Sequence, residues 1–271
     1  MNNLSEIIIP LMRRAGKIML EAENIESQDS LSEKGDAANL VTVYDVAVQS
    51  FLLTEIKKAI PDATFIAEEK ENDPSVLDGE HCFIIDPIDG TTNFIQGYRH
   101  SCTSVALLKD GKPYIGVVYN PWTDELFTAE RGKGAALNGK PIHVSDRPLK
   151  SACFFTAWST YKKEFAKACF AISEEVYYDT CDIRRLGVCA LELCYMAAGR
   201  GELYFEIRLF PWDYAAAQLI LTEAGGCIGT IGMDAPTYTR PQPIVAANTK
   251  ENFDYLMQKV TKYVPTIPYE D

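Results

Sequence analysis

Apolar residues recur at helical spacing at the start of the chain. Between residues 4 and 23 they stand three or four positions apart, which predicts an amphipathic helix with Met12 and Met19 on its apolar face. A second helix is predicted over residues 44–60, and Pro61 ends it. The polar stretch between the two helices, residues 26–38, is predicted to form a loop.

Short apolar runs separated by turn residues follow. Runs at 101–108, 113–119 and 125–129 alternate with turns at Asp110-Gly111 and Asn120-Pro121, so they predict an antiparallel meander. Further strands are predicted at 64–67, 83–85, 152–157, 203–205 and 244–247, and further helices at 161–173, 188–198, 213–224 and 252–260. This succession of strands and helices indicates a mixed α/β fold. Since no Pro/Gly/Ser-rich linker divides the chain, we expect one unit over residues 1–271, with approximate lobes 1–150 and 151–271.

Charge and cysteine content narrow the possible partners and compartment. A formal net charge of −12 argues against nucleic acid or an anionic membrane as the partner, but it allows a phosphorylated small molecule bound through a metal ion. The eight cysteines form no CxxC pair, so we interpret them as reduced core thiols and not as disulfides or a zinc site. Without a signal-peptide pattern or a membrane-spanning apolar run, we expect a cytoplasmic protein.

A run of polar residues follows the predicted strand at 83–85. Asp86 comes first, Pro87 is expected to stop the pairing of the strand, and Asp89 stands three positions after Asp86. Gly90 allows a tight turn, and Thr91 begins a short predicted helix whose backbone N–H groups can bind an anion. Two carboxylates beside such a turn suit a divalent cation that holds a phosphate. For any single residue, an ordinary turn and helix cap is the alternative.

Other carboxylates are predicted near the ends of strands and the starts of helices. Glu68-Glu69 follows one strand, Glu206 is predicted at the end of another, and Asp213 opens a helix. The cation site needs only part of this set: Glu68-Glu69 and Asp213, together with Asp86 and Asp89, supply about as many carboxylates as two or more magnesium ions need, with Asp86 as the natural bridge between two of them. Spacing alone indicates a helix-dipole role for Asp45.

These motifs resemble those of the inositol monophosphatase family. Residues Asp86–Asn93 resemble its first signature, and Trp212-Asp213 with the downstream Glu223–Gly226 resembles its second. Elements around Asn39–Thr42 with Asp45, Glu68-Glu69 and Asn138–Ser145 match in the same order, so the resemblance covers nearly the whole chain. It implies an α-β-α-β-α layered sandwich and a magnesium-dependent phosphomonoesterase. Members of the family are usually homodimers and are often inhibited by lithium.

The resemblance also implies a role for each residue of the site. Glu68, Asp86 and the carbonyl of Ile88 would hold the first of two or three magnesium ions, and Asp86, Asp89 and Asp213 would hold the second. In the catalytic group of Glu68, Thr91 and Asp45, Thr91 with Asp45 would orient the attacking water, and Glu68 would hold a weaker third ion through water. Backbone N–H groups of Gly90 and Thr91 would bind phosphate, and Asp89 and Glu206 would contact substrate hydroxyls. Lys34 matches a lysine near the active-site loop.

The chain departs from the family pattern on the substrate side. Gly187-Val188-Cys189-Ala190 replaces a common Gly-Ser/Thr-Ala-Ala run, which puts Cys189 where a small residue would face substrate. Arg208 is a further candidate substrate contact, with a surface arginine as the alternative.

Several functions stay open at this stage. We expect a substrate such as inositol 1-phosphate or a related sugar or polyol phosphate. The same metal residues would serve a phosphatase for fructose 1,6-bisphosphate, NADP, histidinol phosphate or adenosine 3′,5′-bisphosphate, and a non-catalytic metal-binding regulatory homologue is a further alternative. A haloacid-dehalogenase type is disfavoured because its Asp-x-Asp-Gly-Thr motif has one residue between the aspartates, whereas Pro87 and Ile88 separate them here. The histidines lack a nucleophile-elbow context for a Ser-His-Asp hydrolase.

Overall fold

A computed structural model describes residues 4–22, 31–33, 40–158, 162–233 and 235–267 of the chain. Within them, two main β-sheets and seven α-helices stack as an α-β-α-β-α sandwich, as the sequence predicts. None of the helices in these ranges is both long enough and apolar enough to cross a membrane.

The first outer layer consists of two helices that the periodicity predicts. They are α1 (Leu4–Glu21) and α2 (Val43–Ala59), and between them lies a hairpin of β1 (Leu31–Glu33) and β2 (Leu40–Thr42). Met12 and Met19 are fully buried, as expected for core packing. Thr42 begins α2 by accepting hydrogen bonds from the backbone N–H groups of Tyr44 and Asp45.

A seven-stranded sheet forms the second layer. In spatial order it consists of β3 (Thr64–Ala67), β4 (Cys82–Asp89), β5 (Cys102–Lys109), β6 (Lys112–Asn120), β7 (Glu125–Glu130), β8 (Ala135–Leu137) and β9 (Lys140–Ile142). β3 and β4 are parallel, and every later neighbour pair is antiparallel, so the predicted meander is confirmed. The sequence did not predict β8 and β9, because three residues are too few to show a period of two.

Pro87 does not end β4, contrary to the prediction from its missing N–H group. The strand continues to Asp89, and its pairing with β5 shifts register between Asp86 and Asp89. A bulge at this point absorbs the residue that cannot donate to the ladder. The short helix α3 (Thr91–Ile95) follows directly, with Gly90 as its N-cap.

The second half of the chain builds a five-stranded sheet and the remaining helices. In chain order these are β10 (Cys153–Ala157), α4 (Ala166–Asp179), β11 (Asp182–Arg184), α5 (Cys189–Ala197), β12 (Leu203–Leu209), α6 (Pro211–Glu223), β13 (Cys227–Gly229), β14 (Gln242–Ala247) and α7 (Lys250–Tyr263). The strand order is β11-β10-β12-β14-β13, parallel in its first three strands and antiparallel in the rest. The predicted position of Glu206 at a strand end is wrong, because β12 continues three residues further.

Three apolar cores separate the five layers. On β4, Phe83 and Ile85 face α1 and α2, whereas Ile84 faces the central layer of α5 and α6. Burial on both faces explains the uninterrupted apolar run in this strand. A third core joins α4 and α7 to the outer face of the five-stranded sheet.

The central layer ties the two halves of the chain together. α6, from the second half, packs so closely on β6 that a Cβ atom on Gly116 would lie 2.5 Å from the carbonyl oxygen of Ala216. A glycine is therefore required where the helix crosses this strand. The division into lobes at residues 150 and 151 stays a prediction.

All eight cysteines are free thiols, in line with the interpretation as reduced cysteines. Their burial is less uniform than expected. Five of them are buried, whereas Cys153 and Cys227 are partly buried and Cys181 is exposed, so a core position is wrong for Cys181.

Candidate active site

Asp86 lies at the centre of a group of acidic side chains. It is 1% exposed, and its buried Oδ1 atom has no hydrogen-bond partner among the residues that the structure describes. Burial, followed by the charges of Glu68, Asp89, Asp213 and Asp45, raises the pKa of Asp86 well above its ordinary value. A buried carboxylate with an unsatisfied oxygen among like charges indicates a missing cation or proton.

Asp89 and Asp213 are each held by the start of a helix. The backbone N–H of Ala190, in the first turn of α5, donates to Asp89 Oδ2 at 2.7 Å. Phe210, just before α6, donates its N–H to Asp213 Oδ2 at 2.7 Å. Burial raises the pKa of both carboxyls, that of Asp89 to about 8, and neighbouring carboxylates add to the effect. The N–H groups at the two helix starts therefore hold these carboxylates in place despite their mutual repulsion.

Asp45 joins α2 to the turn before α3. Its Oδ2 atom accepts hydrogen bonds from the N–H and the hydroxyl of Thr42, at 2.7 and 2.5 Å. Its Oδ1 atom lies 3.4 Å from the hydroxyl of Thr91, which also donates to the carbonyl oxygen of Ile88 at 3.1 Å. Burial raises the pKa of Asp45 to about 7. The structure thus brings together three residues, Asp45, Ile88 and Thr91, that the resemblance places in one site.

The turn at Gly90 requires glycine for two reasons. Its φ angle is +88°, and a Cβ atom there would lie 2.6 Å from Cγ2 of Val188. Asn93 fixes the turn from the other side, because its Nδ2 atom donates to the carbonyl oxygens of His100 and Leu186, at 3.0 and 2.8 Å. The carbonyl of His100, and not its ring, supports this turn. The ring is half-buried, and its Nε2 atom has no hydrogen-bond partner among the described residues.

Glu206 marks the side of the site away from α2. Tyr204 donates its hydroxyl to Glu206 Oε2 at 2.8 Å, and burial raises the pKa of Glu206 to about 7. Cys189 is 4% exposed, and burial followed by the charges of Asp89 and Glu206 raises the pKa of its thiol well above its ordinary value. Both residues therefore lie near Asp89, as the predictions require.

Arg208 stacks on aromatic rings at the edge of this region. Its guanidinium lies 4.7 Å from the centroid of the Phe210 ring, which in turn stacks on Trp212 at 4.8 Å. The positive charge of a second arginine, Arg185, lowers the pKa of Glu206 against the effect of burial. Sequence reasoning missed Arg185, for which the only signal was its position two residues before Gly187. Lys34 lies outside the described residues.

Comparison with known proteins decides the family. The model of the inositol monophosphatase family matches residues 1–264. The chain belongs to the inositol monophosphatase family. Its predicted membership and fold class are thereby confirmed.

Relatives of this family member match over nearly their full lengths. Nus factor SuhB from Pasteurella multocida (strain Pm70) is 38% identical over 233 residues, covering 84% of this chain and 85% of that protein. The crystal structure of extragenic suppressor protein suhB from Bartonella henselae has a TM-score of 0.88 at 33% identity, covering 96% of this chain and 99% of that one. An IMPase from Thermotoga maritima has a TM-score of 0.85 at 30% identity, covering 98% and 100%.

The donor set of this family member fits magnesium in its chemistry. Among the residues that the structure describes, no three His, Cys, Asp or Glu side chains are already arranged to hold an ion. Asp89 and Asp213 instead turn one oxygen each towards a backbone N–H group. Carboxylate and carbonyl oxygens are the ligands that magnesium prefers. Oδ1 of Asp86 is a buried carboxylate oxygen that accepts no hydrogen bond from any described residue, so it is available as a metal ligand. The residues therefore fit the ion, and their final arrangement would form around it.

Proposed function

We propose that this chain is a magnesium-dependent phosphomonoesterase that hydrolyses inositol 1-phosphate or a related sugar or polyol phosphate. The observation that carries the proposal is the unpartnered buried oxygen of Asp86 among four other carboxylates. So many like charges in one buried place destabilise the protein unless cations neutralise them. Family membership supports the phosphatase activity.

In this proposal the acidic residues hold two magnesium ions, with a weaker third. Glu68, Asp86 and the carbonyl of Ile88 are assigned to the first ion, and Asp86, Asp89 and Asp213 to the second. When bound, the ions neutralise the phosphoryl oxygens, lower the pKa of the attacking water and stabilise the leaving alkoxide. Asp86 belongs to both sets, in line with its central position among the carboxylates.

The remaining residues position the reactants. Backbone N–H groups of Gly90 and Thr91 receive the phosphate at the start of α3. The Thr91 hydroxyl, fixed between Asp45 and the carbonyl of Ile88, orients the water for in-line attack on phosphorus. Asp89 and Glu206 accept hydrogen bonds from hydroxyls of the leaving group. The water oxygen bonds to phosphorus as the P–O bond to the leaving group breaks. The attacking water gives up a proton to solvent, solvent protonates the alkoxide to the alcohol, and phosphate is released without a phosphoenzyme.

Phosphate release from a substrate panel tests the proposal. The purified protein is assayed with magnesium against inositol 1-phosphate, fructose 1,6-bisphosphate, NADP, histidinol phosphate and adenosine 3′,5′-bisphosphate. We expect release from at least one sugar or polyol phosphate, and loss of that activity in EDTA. Release that persists in EDTA would contradict the metal mechanism. An acid-stable phosphoprotein formed during turnover would contradict direct attack by water.

The name of the curated relatives favours a second candidate function. They are called Nus factors, which makes a non-catalytic regulatory role of this chain a specific alternative. An intact Thr91 and a complete set of carboxylates weigh against a purely non-catalytic protein. A protein that binds magnesium but releases phosphate from no member of the panel would support the regulatory role.

Two further properties belong to the proposal through the family. We expect a homodimer, which sedimentation equilibrium tests directly. We also expect lithium to inhibit phosphate release at constant ionic strength, with sodium as the control.

A further inference from the structure

Arg185 lies near the turn at Gly90, and Gly187 lies between them. It follows β11 and starts the loop that leads into α5. Its Nη1 atom is 3.4 Å from the position that a Cβ atom on Gly187 would occupy. The carbonyl oxygen of Gly187 is in turn 3.5 Å from the Cβ position on Gly90. Gly187 therefore lies between the guanidinium and the turn at Gly90, to which we assign the phosphate.

The guanidinium of Arg185 lies over the ring of Trp158. The centre of the Arg185 guanidinium lies 5.8 Å from the centroid of the Trp158 ring, within cation–π range. The ring is itself fixed, because it packs on Phe170 with centroids 4.3 Å apart and donates its Nε1–H to Ser173 at 3.4 Å. Contact through the ring face holds an arginine in place without using its N–H donors.

The donors of Arg185 are available to a ligand. Its side chain is exposed, and it makes no hydrogen bond or ion pair with any residue in the part of the chain that the structure describes. Its charge nevertheless acts on Glu206, the residue that we assign to a leaving-group hydroxyl. A hydroxyl acceptor and an unused guanidinium thus lie in the same region, and the forked N–H groups of a guanidinium match a carboxylate or phosphate.

We propose that Arg185 is a specificity-determining residue that binds a second anionic group, a carboxylate or a phosphate, on a hydroxylated leaving group. This inference rests on the proposed phosphatase function and narrows its substrate class. Glu206 binds a hydroxyl of the same leaving group, and the turn at Gly90 holds the phosphate that is cleaved. Substrates with an uncharged leaving group lack the partner for Arg185.

The neighbouring Arg184 provides a matched control. It has the same charge and stands next in the chain, but its Nη1 atom is 2.5 Å from Asp182 Oδ2 and 2.8 Å from the carbonyl oxygen of Ile183. Its donors are engaged locally, so it should not select substrates.

The test measures kcat/KM with magnesium for two matched pairs of substrates. Glycerol 3-phosphate is compared with 3-phosphoglycerate, in which a carboxylate replaces the terminal hydroxymethyl group. Glucose 1-phosphate is compared with glucose 1,6-bisphosphate, which carries an additional phosphate. The selectivity of each protein is the ratio of kcat/KM for the second member of a pair to that for the first. Wild type, Arg185→Gln and Arg184→Gln are compared at constant ionic strength.

We expect wild type to prefer the substrate with the added anion in at least one pair. The pair that shows the preference tells whether the anion is a carboxylate or a phosphate. In Arg185→Gln the selectivity should fall about 10-fold or more. The change should be mainly in KM, because the substrate loses the same charge-assisted hydrogen bonds to the guanidinium in the ground state and in the transition state. Arg184→Gln should keep the wild-type selectivity.

Two different failures can be told apart. The assignment of Arg185 is wrong if wild type releases phosphate from the substrates without the second anionic group but shows no preference in either pair. It is also wrong if Arg184→Gln and Arg185→Gln change selectivity equally. If wild type releases phosphate from no substrate of this set or of the wider panel, the proposed phosphatase function itself is wrong.

Discussion

At Asp45 a single carboxylate serves both a helix and a candidate site. One oxygen accepts the hydrogen bonds that cap α2, and the other lies 3.4 Å from the Thr91 hydroxyl. Spacing along the chain shows only the first contact, because Thr42 is three residues away and Thr91 is 46 residues away. The helix-dipole role that spacing indicates for Asp45 is therefore only part of what this carboxylate does.

The central carboxylate should destabilise the metal-free protein. In EDTA we expect Asp86→Asn to raise Tm by about 2 °C or more, because an amide removes one of several buried like charges. The measurement is thermal unfolding of wild type and variant in EDTA. Asp110→Asn is the control, since Asp110 is exposed and its φ of +51° suits asparagine. A lower Tm for Asp86→Asn would mean that the carboxylates do not repel one another in the folded protein.

At the scale of elements, a glycine-rich turn is fixed by a carboxylate of the protein itself. The N–H groups of Gly132 and Gly134 donate to the two carboxylate oxygens of Glu223, each at 2.8 Å. Both glycines have positive φ, which points successive N–H groups in one direction. Glu223 therefore occupies the anion-binding side of this turn. The turn binds the end of α6 to the region before β8.

Removing the charge of Glu223 should loosen this connection. We expect Glu223→Gln to lower the free energy of unfolding by about 1 kcal/mol, because an amide oxygen can replace only one of the two charge-assisted hydrogen bonds. Urea unfolding measures the change. Glu80→Gln, at an exposed position, serves as the control and should change the midpoint little. Equal midpoints for all three proteins would contradict a stabilising role of the Glu223 contact.

Elements differ in how well the sequence predicts them, for physical reasons. α1 was predicted because its long periodic pattern reports burial on one face, and α2 was predicted with the help of Pro61, which marks its end. Three-residue strands such as β8 and β11 owe their existence to neighbouring strands, so local pattern does not reveal them. The bulge at Pro87 likewise depends on β5, which the strand can rejoin after the residue without an N–H group.

At the scale of the whole molecule, the candidate site is assembled from both halves of the chain. Asp86 and Asp89 come from the first sheet, Asp213 from the central helix α6 and Glu206 from the second sheet. The carboxylates could be predicted from sequence because they form family motifs. Arg185 could not, because its contacts with Trp158 and Gly187 depend on how β10 and β11 pair. Substrate selection therefore depends on the part of the site that sequence predicts least.

A contact in the outer layer of α4 and α7 should make the stability of the folded protein depend on pH in the acid range. Hydrogen bonds from Lys262 and then Tyr263 lower the pKa of Glu175 to about 2, below its ordinary value of 4.5. A lowered pKa means that ionised Glu175 stabilises the folded state above about pH 4.5, and that this contribution is lost as the pH falls towards 2.

Thermal unfolding across this pH range tests the acid response. The Tm of wild type should exceed that of Glu175→Gln near neutral pH, and the difference should shrink as the pH falls through the range from 4.5 to about 2. Added salt should also reduce the difference, because the group is on the surface. A difference that stays constant across this range would mean that ionisation of Glu175 does not contribute.

The central claim is that the carboxylates around Asp86 work by holding magnesium at a phosphatase site. The most direct measurement is phosphate release from inositol 1-phosphate, or from the best substrate of the panel, by wild type, Asp86→Asn and Asp110→Asn, each with magnesium and with EDTA. We predict activity for wild type and Asp110→Asn only with magnesium, and a loss of about 100-fold or more in a folded Asp86→Asn, since even indirect partners of metal ligands cost about 10- to 100-fold. Substantial activity of Asp86→Asn, or of wild type in EDTA, would contradict the account.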